Sequence, residues 1–143
     1  MTFDGDGQHD PRDIERLLAP IRAGRADVVL GSRFLGEGSN VPWLRKAMLK
    51  SGVLFTSLTT GLALTDTHNG LRAFSRRAAE MIHFSMDGMA HASEVFDIVR
   101  REKLQYEEVP VNIRYTDYSL RKGQSVWDSV KVLRSLAERA FFR

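Results

Sequence analysis

Apolar and polar positions follow two rhythms along this chain, and the rhythms assign its elements. Ile14, Leu17, Leu18 and Ile21 fall at i, i+3, i+4 and i+7, the spacing of a helix with one buried stripe. Asp10 is its expected cap, Pro11 its first position and Gly24 its stop. Ala26 to Leu30 (ADVVL) is a short unbroken apolar run that reads as a buried strand, with Gly31-Ser32-Arg33 at its carboxyl end. Residues 34–42 (FLGEGSNVP) read as a loop. Trp43 to Leu62 reads as one long helix or two broken ones, with Arg45, Lys46 and Lys50 near its start. The polar turn 65–70 (TDTHNG) precedes a strand at Leu71–Phe74 and a helix capped by Ser75. A helix from about His91 to Glu102 carries Val95, Ile98 and Val99 on one face. At Val109, Val111, Ile113 and Tyr115 the rhythm becomes alternating, as in a strand exposed on one side. After a polar loop, Thr116–Gln124, a last helix is marked by Val126, Val130, Leu133, Ala137 and Phe141.

Helices alternating with strands argue for an α/β fold with a mixed sheet flanked by helices. A length of 143 residues makes residues 1–143 one domain with one core. Apolar residues are 43% and charged residues 27%, ordinary for a globular chain, and there is no internal repeat. The first residues do not read as a signal peptide, and no uninterrupted apolar run reaches the roughly 18 residues that cross a bilayer. The absence of cysteine excludes disulfides, thiolate zinc sites and thiol nucleophiles. It also makes the cytoplasm the expected compartment. A formal charge of +3 suits anionic partners, among them sugar nucleotides, lipid phosphates and membrane surfaces. The basic residues are scattered without interleaved aromatics, so nucleic acid is not expected.

Candidate chemistry concentrates in residues 4–11, Asp-Gly-Asp-Gly-Gln-His-Asp-Pro. Asp4 and Asp6, two residues apart on a glycine-loosened turn, can address one hard cation, with Gln8 as a neutral oxygen ligand. An EF-hand loop fails here because His9 occupies the sixth position and Pro11 interrupts. A phosphatase-type nucleophile lacks its lysine and aspartate partners. Taken alone, the segment also reads as an Asp/Gly-rich turn followed by a helix cap. His9 and His68 read as structural or solvated.

Five segments in order, DGDGQHDP, DVVLGSRF, TDTHNGLRAFSR, SEVFDIV and IRYTDYSLRKGQS, resemble successive blocks of family-2 glycosyltransferases. The polyprenyl-phosphate (dolichol-phosphate) sugar synthases are the most similar subgroup, and the blocks span most of residues 3–130. The resemblance implies the C-terminal portion of a GT-A nucleotide-diphospho-sugar transferase fold, a nucleotide-sugar donor, and Mg2+ or Mn2+. It implies that Asp4 lies nearest the donor sugar or ribose, that Asp6 coordinates the metal and that Gln8 assists. It makes Arg33 a phosphate-binding residue and sets Asp66, Asn69 and Arg72 on the acceptor side. Arg121, Lys122 and Ser125 would lie in the loop that closes over the donor diphosphate, although residues 123–126 (GQSV) lack the lysine common in that subgroup. No Gln-x-x-Arg-Trp motif is present, which argues against a processive polysaccharide synthase.

The expected reaction is an inverting displacement at the anomeric carbon. A lipid-phosphate acceptor would need no base; a glycan hydroxyl would need Asp66 or Glu94 to take its proton. The nucleotide-base-binding units of that fold, each of roughly 30 residues, are expected upstream of the metal motif. Without them the chain is expected to be weak or inactive alone and to form a homodimer through an uncovered sheet edge. The helix at 43–64, apolar with basic neighbours, fits a peripheral position at the inner face of a membrane. A reading from another class is a non-catalytic module that binds anions or membrane surfaces.

Overall fold

The computed structural model describes residues 1–36, 41, 43–82 and 91–114, so the final helix and the loop ahead of it lie outside the described residues. Seven elements follow in order: α1 (Asp13–Arg22), β1 (Val28–Ser32), α2 (Trp43–Thr60), β2 (Arg72–Phe74), α3 (Arg76–Met81), α4 (His91–Arg101) and β3 (Tyr106–Pro110). The strands form a mixed sheet in the order β2-β1-β3, with β2 antiparallel and β3 parallel to the central β1. Thr2 extends the sheet by a single bridge to Arg72, outside β2.

The central strand is buried at every position because both faces are covered. On one face Val29 packs with Leu17 of α1, Leu71, Ala73, Val109, Val111 and Ile113. On the other, Val28 and Leu30 pack with Ala78, Val95, Phe96, Ile98 and Val99 from α3 and α4. Each fully buried valine of this kind stabilises the fold by about 1.5–3 kcal/mol.

Three boundaries differ from the sequence reading, each for a local reason. α1 begins at Asp13 rather than just after Asp10, because the Asp10 carboxylate accepts the Arg12 backbone N–H and forms a separate turn. It tolerates Pro20 in its last turns and ends at Gly24, whose φ of 68° is left-handed. β1 begins and ends two residues later than ADVVL suggests, since Ala26 and Asp27 still belong to the entry turn. β3 is Tyr106–Pro110, so of the alternating positions read as a strand it contains Val109, and Tyr115 lies outside the described residues. Val111 and Ile113 are nevertheless buried, in an extended tail bridged to His9. α2 is one continuous helix, and Ser75 caps α3 by accepting the Ala78 N–H at 3.1 Å.

Candidate functional site

Two turns built by different means meet at the carboxyl end of the sheet. The first, residues 4–10, leaves the short pairing at Thr2. Its Asp6 Oδ1 accepts the Gln8 backbone N–H at 3.0 Å, which folds the turn on itself. The Asp4 side chain is 58% exposed, with His9 Nε2 at 3.5 Å and the charge of Arg72 nearby. His9 itself is buried against Phe3, with ring centroids 5.3 Å apart. The following strand tail fixes the back of this turn. Arg114 donates its N–H to the Gln8 carbonyl, and its guanidinium reaches Asp10 at 3.0 Å. Asp10 also takes the Arg12 guanidinium at 2.6 Å, and that hydrogen bond holds its carboxyl well below the usual carboxylate range. Buried Asp13 accepts the Asn112 backbone N–H at 2.8 Å and completes the clamp.

The second turn, residues 65–70, is held from below. Glu108 of β3 accepts the Thr65 N–H with both oxygens, at 2.9 and 2.8 Å, and the Asp66 N–H at 3.1 Å. Asp66 Oδ2 accepts both the Arg33 backbone N–H at 3.1 Å and Arg33 Nε at 2.6 Å, while Oδ1 accepts the His68 N–H. The Asp66 side chain is 0% exposed and that of Arg33 7%. Asp66, expected as a base for a hydroxyl acceptor, thus lies buried with its oxygens engaged by the Arg33 guanidinium and two backbone N–H groups. Arg33 Nη2 in turn donates to the His68 carbonyl at 2.8 Å.

Asn69 at the end of this turn and Arg72 at the start of β2 are both buried. Arg72 Nε donates to the Asn69 carbonyl at 3.1 Å, and its guanidinium lies 5.1 Å from the Phe96 ring centre. Burial lowers the Arg72 pKa to about 10, against the opposing charges of Asp4 and Asp66. It remains a cation at neutral pH. The Asn69 carboxamide accepts the Leu71 N–H, and its buried Nδ2 has no hydrogen-bond partner among the described residues. Glu94 sits half-buried in the first turn of α4. Arg121, Lys122 and Ser125 lie outside the described residues.

Beside Arg33 opens a cleft of about 250 Å³ lined by Arg33, Phe34, Gly36, Val41, Lys46 and Lys50. Lys46 and Lys50 were not among the site residues read from the sequence. Their signal was present as a basic pair at i, i+4 on the helix that follows Gly-Ser-Arg-Phe. Lys50 Nζ lies 4.5 Å from the Phe34 ring centre, which holds it at the cleft wall. Along the same helix Trp43, Leu54 and Leu58 are 80%, 61% and 78% exposed. With Ala47 and Lys50 they form one helical face turned outward. Among the described residues no helix is long and apolar enough to cross a membrane.

Whether a divalent cation fits the first turn is a question of its donor set. Asp4, Asp6 and Gln8 offer carboxylate and amide oxygens, the ligands that magnesium and manganese prefer. Gln8 has a buried amide nitrogen with no partner, so its carboxamide is not committed by hydrogen bonds to one orientation. No group of three or more His, Cys, Asp or Glu side chains suited to metal binding occurs among the described residues. A cation here would have few protein ligands and retain positions for phosphate or water, as Mg2+ usually does.

Residues 1–82 match the family model described as glycosyl transferase family 2. The chain is 36% identical to an uncharacterised protein of Methanocaldococcus jannaschii over 99% of its own length and 60% of the relative's. It is 35% identical to the UDP-N-acetylglucosamine–dolichyl-phosphate N-acetylglucosaminyltransferase of Methanococcus voltae, covering 92% of this chain and 54% of that one. It is 31% identical to the polyprenol monophosphomannose synthase of Mycolicibacterium smegmatis, covering 84% and 46%. The chain thus spans about half the length of these relatives.

Proposed function

We propose that this chain, which belongs to glycosyl transferase family 2, carries the metal turn and acceptor-side cleft of an enzyme that moves a sugar from a nucleoside-diphosphate donor to a polyprenyl phosphate. The observation that carries this reading is the cleft lined by Arg33, Lys46 and Lys50, continuous with a helix whose apolar face is exposed. Three cations suit a phosphate monoester, and the apolar face beside them suits its isoprenoid tail. The relatives named for dolichyl phosphate and polyprenol support the same acceptor class.

The chemistry is an in-line displacement with inversion. An oxygen of the acceptor phosphate forms a bond to the anomeric carbon as the bond from that carbon to the donor diphosphate breaks, and the nucleoside diphosphate departs. The nucleophile is already an anion, so no side chain must remove a proton. Closed Asp66 is consistent with that: its work is to hold Arg33 at the cleft, where the guanidinium orients the acceptor. Asp4, Asp6 and Gln8 would hold Mg2+ or Mn2+, which supplies charge neutralisation for the departing diphosphate. A hydroxyl acceptor would need Glu94 as its base, since Asp66 is engaged by Arg33 and the backbone. Trp43, Leu54 and Leu58 would rest the protein at a membrane surface, with Lys46 and Lys50 facing anionic headgroups.

To test the reading, the chain is incubated with UDP- and GDP-sugars, manganese and a short-chain polyprenyl phosphate, and glycolipid formation is followed. Transfer that requires the metal and is lost in Asp6→Ala supports the proposal. Polyprenyl-phosphate binding that is unchanged in a Lys46→Ala/Lys50→Ala double variant would overturn the assignment of the cleft to the acceptor.

A further inference from the structure

Gly70 has no conformational reason to be glycine. Gly7, Gly24 and Gly61 have φ of 75°, 68° and 72°, in the left-handed region, and Gly70 does not share it. An alanine would accept its backbone without strain. The reason is spatial. A β-carbon built on Gly70 would coincide with the Asp4 carboxyl group, meeting Oδ2, Cγ and Oδ1 as its nearest atoms. A β-carbon on Gly5, inside the carboxylate turn itself, meets nothing within 4 Å.

Of the two sides of this contact, only one can move cheaply. The Gly70 carbonyl accepts Thr2 Oγ1–H at 2.8 Å, the Leu71 N–H is tied to Asn69, and the turn before them is tied to Arg33 and Glu108. Asp4 is a short side chain on an exposed turn, 58% exposed, with His9 at 3.5 Å and the Arg72 charge beside it. A side chain at position 70 would displace the carboxylate and leave the turn in place.

We infer that Gly70 is a positioning residue for Asp4: the space left by its missing side chain is the seat that holds the donor-side carboxylate against the acceptor-side turn. The seat rests on geometry; its consequence for metal and donor rests on the reading of Asp4 given above. One turn thus serves both halves of the site. Its Asp66 end aims Arg33 at the cationic cleft, and its Gly70 end sets Asp4.

The test compares the full chain with its Gly70→Ala and Gly5→Ala variants by crystallography, thermal melting and manganese titration followed by electron paramagnetic resonance. In Gly70→Ala the Asp4 carboxylate is expected to swing away from the turn, with little change in melting temperature. Manganese affinity is expected to fall about tenfold or more, as for other misplaced metal ligands, while Gly5→Ala retains it. An Asp4 carboxylate found in its original place in Gly70→Ala would overturn the inference. If the wild-type chain binds no manganese, the metal reading fails, and the crystallographic comparison alone decides the seat. If Gly70→Ala melts far below wild type, the double variant Asp4→Gly/Gly70→Ala separates the causes. Recovery to the stability of Asp4→Gly supports the seat, and an equal loss in both backgrounds overturns it.

Discussion

The turns at residues 4–10 and 65–70 touch at Asp4 and Gly70, yet they use their carboxylates in opposite ways. In the second, Asp66 is wholly enclosed and both its oxygens are taken by Arg33 and the backbone. In the first, Asp4 is 58% exposed, with His9 and the charge of Arg72 nearby. Glu108, Asp10 and Asp13 belong with Asp66, each spent on tying one segment to another. A carboxylate committed to partners inside the protein builds the frame. One held in place yet open to solvent is available to something from outside. The contrast explains why acidic residues so close in space have separate tasks.

The sharpest way to break this contrast is to remove one carboxylate from each turn. Asp66→Ala takes the carboxylate from the buried Arg33 guanidinium and is expected to cost about 3–5 kcal/mol in urea unfolding. Asp6→Ala gives up only the local bond to the Gln8 N–H and is expected to cost about 0.5–1.5 kcal/mol while abolishing manganese binding. Equal destabilisation by the two would erase the distinction. Glu108→Gln comes next. It replaces one acceptor oxygen with a donor facing backbone N–H groups, and a loss of about 1.5–3 kcal/mol is expected in the same measurement.

The smallest effect concerns pH and His68. Burial lowers the His68 pKa below its ordinary 6.5, opposed by Asp66 and reinforced by Arg33 and Arg72. The unfolded chain therefore takes up the proton more readily, and stability should decline as pH falls below 6.5 toward the folded-state value. The imidazole keeps an exposed side even though Gly52 packs against it, so the decline should be shallow. Melting curves between pH 7.5 and 5 should show that slope in wild type and a flatter one in His68→Gln. A steeper slope in the variant would mean that His68 is not its source.

Much of the frame was legible in the sequence because periodicity reports which face is buried. The stripes of α1 and α4 are now the two covers of the sheet, and Ser75 caps α3 as its residue type suggests. The start of β3 was less legible. Tyr106, Glu107 and Glu108 are half-buried, and Glu108 turns to the backbone of residues 65 and 66, a contact with no local signature. The same limit applied to the site. Sequence order could bring Arg33, Asp66, Asn69 and Arg72 under suspicion, but it could not show that Arg33 consumes Asp66. Nor could it show Lys46 and Lys50 joining Arg33 around one cleft, because that depends on where α2 sets its basic residues beside Phe34. Gly70 looked like ordinary turn chemistry until the space beside it was found to be filled by Asp4.

The parallel pairing of β1 with β3 has a consequence for how the chain assembles. Asp27 and Gln105, which begin that pairing, are 78 positions apart, whereas Arg33 and Asp66 are separated by 33. During synthesis the guanidinium and its carboxylate emerge together long before the central strand meets its parallel neighbour. Closure of so long a segment is the slow, entropically costly event in such topologies. Until it happens, only β1 and β2 of the sheet can pair, and Val109 and Val111 are not yet delivered to the interior.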